Sequence, residues 1–185
     1  MNRTKKLIVD TFWQLLEEKT YNKITVQDIV NQCKINRNTF YYHFQNIPFL
    51  AESSIQNWME EVIKSLGVFG SPVGCLTYMA AECMKKKKAF LHLYRSAQKD
   101  SLLRHLDKMS FHIIRFYVDS TIGNLSITEE NKEILIRYYK CAFVGILLDW
   151  LESDASYDLI HFYDKLCDLF SGSIENAFFK YADRH

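Results

Sequence analysis

A run of hydrogen-bonding side chains whose types suit recognition of base edges and phosphates lies between Asn36 and Phe44. Asn36, Arg37, Asn38, Thr39, Tyr41, Tyr42 and His43 sit there around two phenylalanines, Phe40 and Phe44. Phe40 and Phe44 are four residues apart, so on a helix they share one face. Arg37 and Tyr41 then turn outward together, with Asn38 and Tyr42 beside them. Such a face suits base edges and phosphates. An arginine fork pairs with guanine, an asparagine amide pairs with adenine, and a tyrosine bonds a phosphate or touches a thymine methyl. This is binding chemistry rather than catalysis. A glycine-rich phosphate loop, a nucleophile motif and a usefully spaced carboxylate cluster are all missing, so neither an enzyme nor a cofactor is expected. His105 and His112 share a face at seven-residue spacing, but no carboxylate or thiol completes a metal set with them. Periodicity alone leaves two readings open for residues 36–44: an element that enters a DNA groove, or a short aromatic helix of the core.

The segments that must position this run all have the apolar spacing of amphipathic helices, and none alternates like a strand. Leu7, Ile8, Phe12, Leu15 and Leu16 mark a first helix ending near Lys19. Thr25 opens a second, with Asp28 at the third helical position of a capping box. A break at Cys33-Lys34-Ile35 leads to Asn36, an N-cap for a third helix running to about Phe44. Asn46 and Pro48 open a fourth, reaching about Ser65. Two helices separated by only three residues match the helix-turn-helix plan. Gly67, Gly70, Ser71, Pro72 and Gly74 then gather as a linker. The expected organisation is a helix-turn-helix domain at 1–47, a connecting helix and linker at 48–73, and a regulatory and dimerisation domain at 74–185. Later helices are expected at about 74–87, 89–97, 100–122, 128–152 and 156–181. Gly123-Asn124 reads as a stop and Thr128 as a fresh start. Lys85 to Lys88 reads as a solvated helix end favourable to the dipole, a phosphate contact being the other reading.

Residues 4–50 closely resemble the N-terminal domain of the TetR/AcrR family of transcriptional regulators. The resemblance rests on Thr25-Val26-Gln27-Asp28-Ile29 followed, at the family's spacing, by Ile35-Asn36-Arg37-Asn38-Thr39-Phe40-Tyr41-Tyr42-His43-Phe44. It implies an all-α fold: an N-terminal three-helix helix-turn-helix domain plus a C-terminal helical bundle for ligand binding and dimerisation. It implies that Asn36, Arg37, Asn38, Tyr41, Tyr42 and His43 face double-stranded DNA; Thr39 is counted with them, and Lys5, with Arg3, Lys6 and Tyr42, would take up the phosphate contact that a departure at position 47 leaves open. Thr25 would cap helix two and present its N-terminus to a phosphate. His43 has a second reading as a half-buried spacer. Two positions depart from the family pattern. Lys34 stands where a glycine is common, so a left-handed turn there would carry strain. Ile47 stands where many members place a phosphate-binding lysine.

Composition narrows the remaining classes. Of 185 residues 48% are apolar, with six glycines and two prolines, which fits a helical globular chain and excludes disorder or fibre. Net charge is only +1, so charge alone does not point to nucleic acid. Residues 1–50 hold seven Lys/Arg against four Asp/Glu, a mild basic surplus of three. The five cysteines are widely spaced and read as reduced thiols in apolar positions of a cytoplasmic protein, with a redox-sensing thiol as the other reading. The longest apolar run, Ala142 to Leu148, is far short of the ~20 residues that span a bilayer, so no membrane partner is expected.

One helix-turn-helix reads few base pairs, so a homodimer is expected. Phe143, Ile146 and Trp150 with Phe162, Leu166, Phe170 and Ile174 are its candidate interface, intrachain core being the other reading and a mixture the favoured one. Tyr94, Phe111, His112, Phe116 and Tyr139 could wall a pocket for a small-molecule effector, or be ordinary core; control by a partner protein is the alternative. The rival to a regulator is a helical protein-interaction adaptor that keeps the fold without sequence-specific DNA binding. Ile47 and the near-neutral charge are its best support.

Overall fold

The computed structural model describes residues 3–66, 72–122 and 128–169. Among the described residues there are nine α-helices, one 3-10 turn and no strand, as the helical spacing predicts. The helices are α1 (Arg3–Glu18), α2 (Val26–Cys33), α3 (Arg37–His43), α4 (Ile47–Leu66), α5 (Pro72–Lys85), α6 (Lys87–Tyr94), α7 (Lys99–Ile122), α8 (Glu129–Glu152) and α9 (Leu159–Leu169). The 3-10 turn, Tyr21–Lys23, joins α1 to α2. Of the residues expected to form a linker, Pro72 and Gly74 instead belong to α5, Pro72 opening its first turn, while Gly67, Gly70 and Ser71, like the expected stop at Gly123-Asn124, lie outside the described residues.

The chain packs as two compact units. The first comprises Met1–Glu61 with Lys85–His105, and the second Val62–Met84 with Leu106–His185. In the first, Ile8, Phe12 and Leu16 of α1 recur at four-residue intervals and are fully buried, together with Ile29, Phe40, Phe44, Leu50 and Ile55. The start of α4 and the whole of α6 join this unit because aromatic rings lock them to α1. Phe90 of α6 meets Trp13 edge-on at 6.0 Å and Trp58 at 4.9 Å. Polar contacts complete the join. The Glu17 carboxylate accepts the Ala89 N–H at 3.1 Å, capping the N-terminus of α6 from another helix, and His92 Nδ1 donates to the Leu16 carbonyl at 2.7 Å. The lysine run fits a solvated helix end at Lys85, exposed in the last turn of α5, whereas Lys86 and Lys87 are half-buried. It straddles the break between α5 and α6, and the Lys86 ammonium stands 4.7 Å over the Trp13 ring.

In the second unit α8 begins as expected, Thr128 capping it by accepting the Asn131 N–H at 3.3 Å. Phe143, Leu147 and Trp150 of α8 are buried along with Leu159 and Tyr163 of α9. Asp158 caps α9 by accepting the N–H groups of Ile160 and His161 at 2.9 and 3.0 Å. Cys33 and Cys83 are buried, and burial pushes both thiols up, which suits the apolar-filler reading; Cys141 is exposed. The side chains of Cys75 and Cys167 lie outside the described residues. No described helix is long and apolar enough to cross a membrane.

Candidate nucleic-acid interface

The geometry of α3 starts one helix earlier. Thr25 Oγ1 accepts the Asp28 N–H at 3.2 Å while the Asp28 carboxylate accepts the Thr25 N–H at 2.8 Å, a complete capping box. Lys19 adds an ion pair to the same carboxylate at 2.8 Å. Lys19 and the Thr25 donors hold the Asp28 carboxyl down at about 2. The Thr25 N–H is therefore spent, and only the next donors of the first turn, those of Val26 and Gln27, remain for a phosphate. Helix α2 ends at Lys34, whose φ of 54° and ψ of 43° are left-handed. The Ile35 N–H reaches back to the Val30 carbonyl at 3.0 Å, closing the turn in the manner of a Schellman motif. The strain expected from a lysine in the glycine position is thus present.

Asn36 caps α3. Its Oδ1 accepts the Thr39 N–H at 2.8 Å and the Thr39 hydroxyl at 3.0 Å. Two residues expected to face DNA are thereby engaged in holding the helix start, and Asn36 keeps only its amide NH2 to offer outward. The rest of α3 divides cleanly. Phe40 is 0% exposed and Phe44 is buried behind it, their rings 6.1 Å apart. Tyr41 is 52% exposed and Tyr42 83% exposed. Arg37 and Asn38 are exposed as well, and His43 is half-buried against the Tyr42 ring at 4.9 Å. Lys5 is half-buried, its ammonium 5.7 Å over the Phe44 ring. Ile47 is half-buried at the head of α4, where Asn46 provides the cap by accepting the Phe49 N–H at 2.8 Å.

One feature of this face is not legible in the sequence. Arg37 does not swing freely: its Nε and Nη2 both donate to Gln27 Oε1, at 3.1 and 2.8 Å. Gln27 Nε2 in turn donates to Asn31 Oδ1 at 2.6 Å. Gln27 and Asn31 are four apart on α2, so their pairing follows from helix spacing. Their reach across the turn to Arg37 does not.

The second-unit candidates fare differently. Phe143 and Trp150, expected at an interface or in the core, are intrachain core. The Phe143 ring packs on Tyr163 at 5.4 Å, and Trp150 Nε1 donates to the Tyr157 carbonyl at 3.1 Å. Ile146 and Leu166 are half-buried and Phe162 is exposed; Phe170 and Ile174 lie outside the described residues. Of the pocket candidates, Tyr94 is buried in the first unit, where the Lys99 ammonium stands 4.1 Å over its ring. Phe111 and Tyr139 are half-buried in the second unit, and His112 and Phe116 are exposed. His112 packs on Phe111 at 5.9 Å.

A capped α2, a tight turn and an α3 that buries phenylalanines while exposing Arg37 and two tyrosines define the class of helix-turn-helix proteins. Comparison with known proteins narrows the class. Residues 8–51 match the model of bacterial regulatory proteins of the tetR family, and residues 75–172 match a transcriptional regulator C-terminal region. This chain belongs to the TetR family of bacterial transcriptional regulators. Over 60 residues, 32% of this chain and 32% of the relative, it is 38% identical to the HTH-type dhaKLM operon transcriptional activator DhaS of Lactococcus lactis. The match thus spans only about a third of that relative's length. A solved structure of the dihydroxyacetone kinase operon activator DhaS superposes with a TM-score of 0.81 at 19% identity, covering 94% of this chain and 97% of that one. The fatty acid degradation regulator FadR of Bacillus halodurans gives 0.67 at 14% identity, covering 91% and 95%. These likenesses carry the fold.

Proposed function

We propose that this protein acts in the cytoplasm as a homodimer that lays α3 in the major groove of a palindromic DNA operator. The observation that carries the reading is the division of α3: Phe40 is fully buried while Tyr41 and Tyr42 are 52% and 83% exposed. A core helix has no use for two adjacent tyrosines turned to water, whereas a groove floor and its phosphates give both hydroxyls and rings partners. Arg37 would read a guanine, Asn38 an adenine, and Tyr41, Tyr42 and His43 would touch backbone or thymine methyls, with Lys5 and the first turn of α2 near phosphate. A stripe of exposed residues along α8, Ile134, Tyr138, Ala142 and Gly145, together with Phe162 of α9, supports pairing of two copies. An effector bound to the second unit, a small molecule or a partner protein, would favour one spacing of the two α3 helices. A coupling of about 1–3 kcal/mol is enough for such a switch.

The test is selection of duplexes from a random-sequence pool by the full chain, followed by gel shifts at several salt concentrations. A specific, salt-sensitive shift is expected. Arg37→Ala and Tyr41→Ala should keep the far-UV helical signal and weaken the shift, Arg37→Ala by about 1–3 kcal/mol if it pairs a guanine. No enriched duplex at low salt would turn the reading to the protein-interaction adaptor.

A further inference from the structure

The Arg37 side chain has four rotatable bonds, and it is exposed at the first position of α3. An arginine so placed would ordinarily sample many rotamers and be ordered only on contact. Here Gln27 removes that freedom. A single oxygen, Gln27 Oε1, accepts from Nε at 3.1 Å and from Nη2 at 2.8 Å, so the whole Nε–Nη2 side of the guanidinium is occupied. The guanidinium is planar, so fixing one side fixes the direction of the other. The end formed by Nη1 and the second hydrogen of Nη2 then points away from Gln27. That end carries the parallel pair of N–H groups that matches guanine O6 and N7. The orientation of the Gln27 amide is itself determined. Its Nε2 donates to Asn31 Oδ1 at 2.6 Å, and the flipped amide would aim an NH2 at a cation.

We infer that Gln27 is a positioning residue for base recognition: anchored by Asn31, it holds the Arg37 guanidinium with its terminal edge outward. This rests on the reading of α3 as the groove element given above. Gln27 touches no base in this scheme; it lowers the ordering cost of Arg37 and restricts the directions in which the fork can pair. Its effect is therefore confined to the base pair that Arg37 reads. A phosphate contact made by Gln27 itself would act equally on every sequence and independently of Arg37.

The test uses the full chain and the duplex it enriches from a random-sequence pool, with every single-base-pair variant of that duplex. Gln27→Met keeps side-chain length and removes the acceptor. It should weaken binding to the enriched duplex roughly three- to ten-fold, the scale of ordering one long side chain on binding. Discrimination should collapse only at the base pair where Arg37→Ala also loses it. In the Arg37→Ala background, Gln27→Met should have no further effect. Gln27→Glu keeps an acceptor, so it should retain the discrimination while affinity falls evenly through repulsion of phosphates. A loss uniform across all variants, or one persisting without Arg37, overturns the positioning role. Discrimination unchanged in Gln27→Met also overturns it, while leaving the regulator reading intact if Arg37→Ala is defective. A pool from which no duplex is enriched, or wild-type binding by Arg37→Ala, instead brings down the reading of α3 itself.

Discussion

Replacing Asp28 by asparagine should remove the charge that ties α1 to the start of α2 while leaving an oxygen to accept from Thr25. The carboxylate lies 2.8 Å from the Lys19 ammonium, 2.8 Å from the Thr25 N–H and 2.7 Å from the Thr25 hydroxyl. Those partners lower the carboxyl from 3.8 to about 2. Unscreened, that displacement corresponds to roughly 2.4 kcal/mol. Asp28 is 33% exposed and Lys19 28%, so solvent and salt reduce the effect. Asp28→Asn should cost about 1 kcal/mol at neutral pH, in line with exposed ion pairs and helix caps. The sign follows from the direction of the displacement. The folded state holds the proton less tightly than the unfolded chain, so the stabilisation is present above the unfolded value near 3.8 and disappears as pH falls through about 2. Urea melts of both proteins at a series of pH values should show a constant gap at neutral pH that begins to close near pH 4. One molar salt should shrink it. NMR titration of the Asp28 carboxyl gives a second readout. Equal stability of the two proteins at neutral pH, or a carboxyl that titrates near 4, would refute the argument.

Two further perturbations test other parts of the fold. Lys34→Gly should stabilise the protein by about 1 kcal/mol, since Lys34 holds φ at 54° where glycine has no side-chain penalty; an unchanged or lower urea midpoint would argue against strain at that turn. Gly145→Arg should leave the protomer folded, because a Cβ built there meets nothing within 4 Å, yet should convert a dimer to monomers in sedimentation velocity; an intact dimer would remove the α8 stripe from the interface.

Much of the first unit can be read along the chain because its determinants are local. The capping box at Thr25, the Asn36 cap and the four-residue spacing of Phe40 and Phe44 each involve partners within one helical turn. The hydrogen bonds match them: Thr25 with Asp28, and Asn36 with Thr39. The family resemblance of residues 4–50 comes from the same local pattern, and the family match at 8–51 coincides with it. Strain at Lys34 is similarly legible, since a helix C-terminus that turns sharply calls for a left-handed residue whatever the side chain. The second unit was less readable. Its apolar spacing marks α8 and α9 as helices with a covered face, but does not distinguish an intrachain neighbour from a second copy. Hence Phe143 and Trp150 stand as interface candidates until Tyr163 and Tyr157 are seen against them.

What the amino-acid order alone determined is where helices start, stop and turn an apolar side inward, because those preferences are satisfied within a few residues of backbone. Which surfaces meet is a matter of the folded chain. The capping of α6 by Glu17 joins groups 72 positions apart, and the hold of Gln27 on Arg37 joins groups 10 apart across a turn. Neither leaves a periodic trace, because a hydrogen bond between helices depends on their relative placement, and that placement is set by how many side chains pack at once rather than by any one of them.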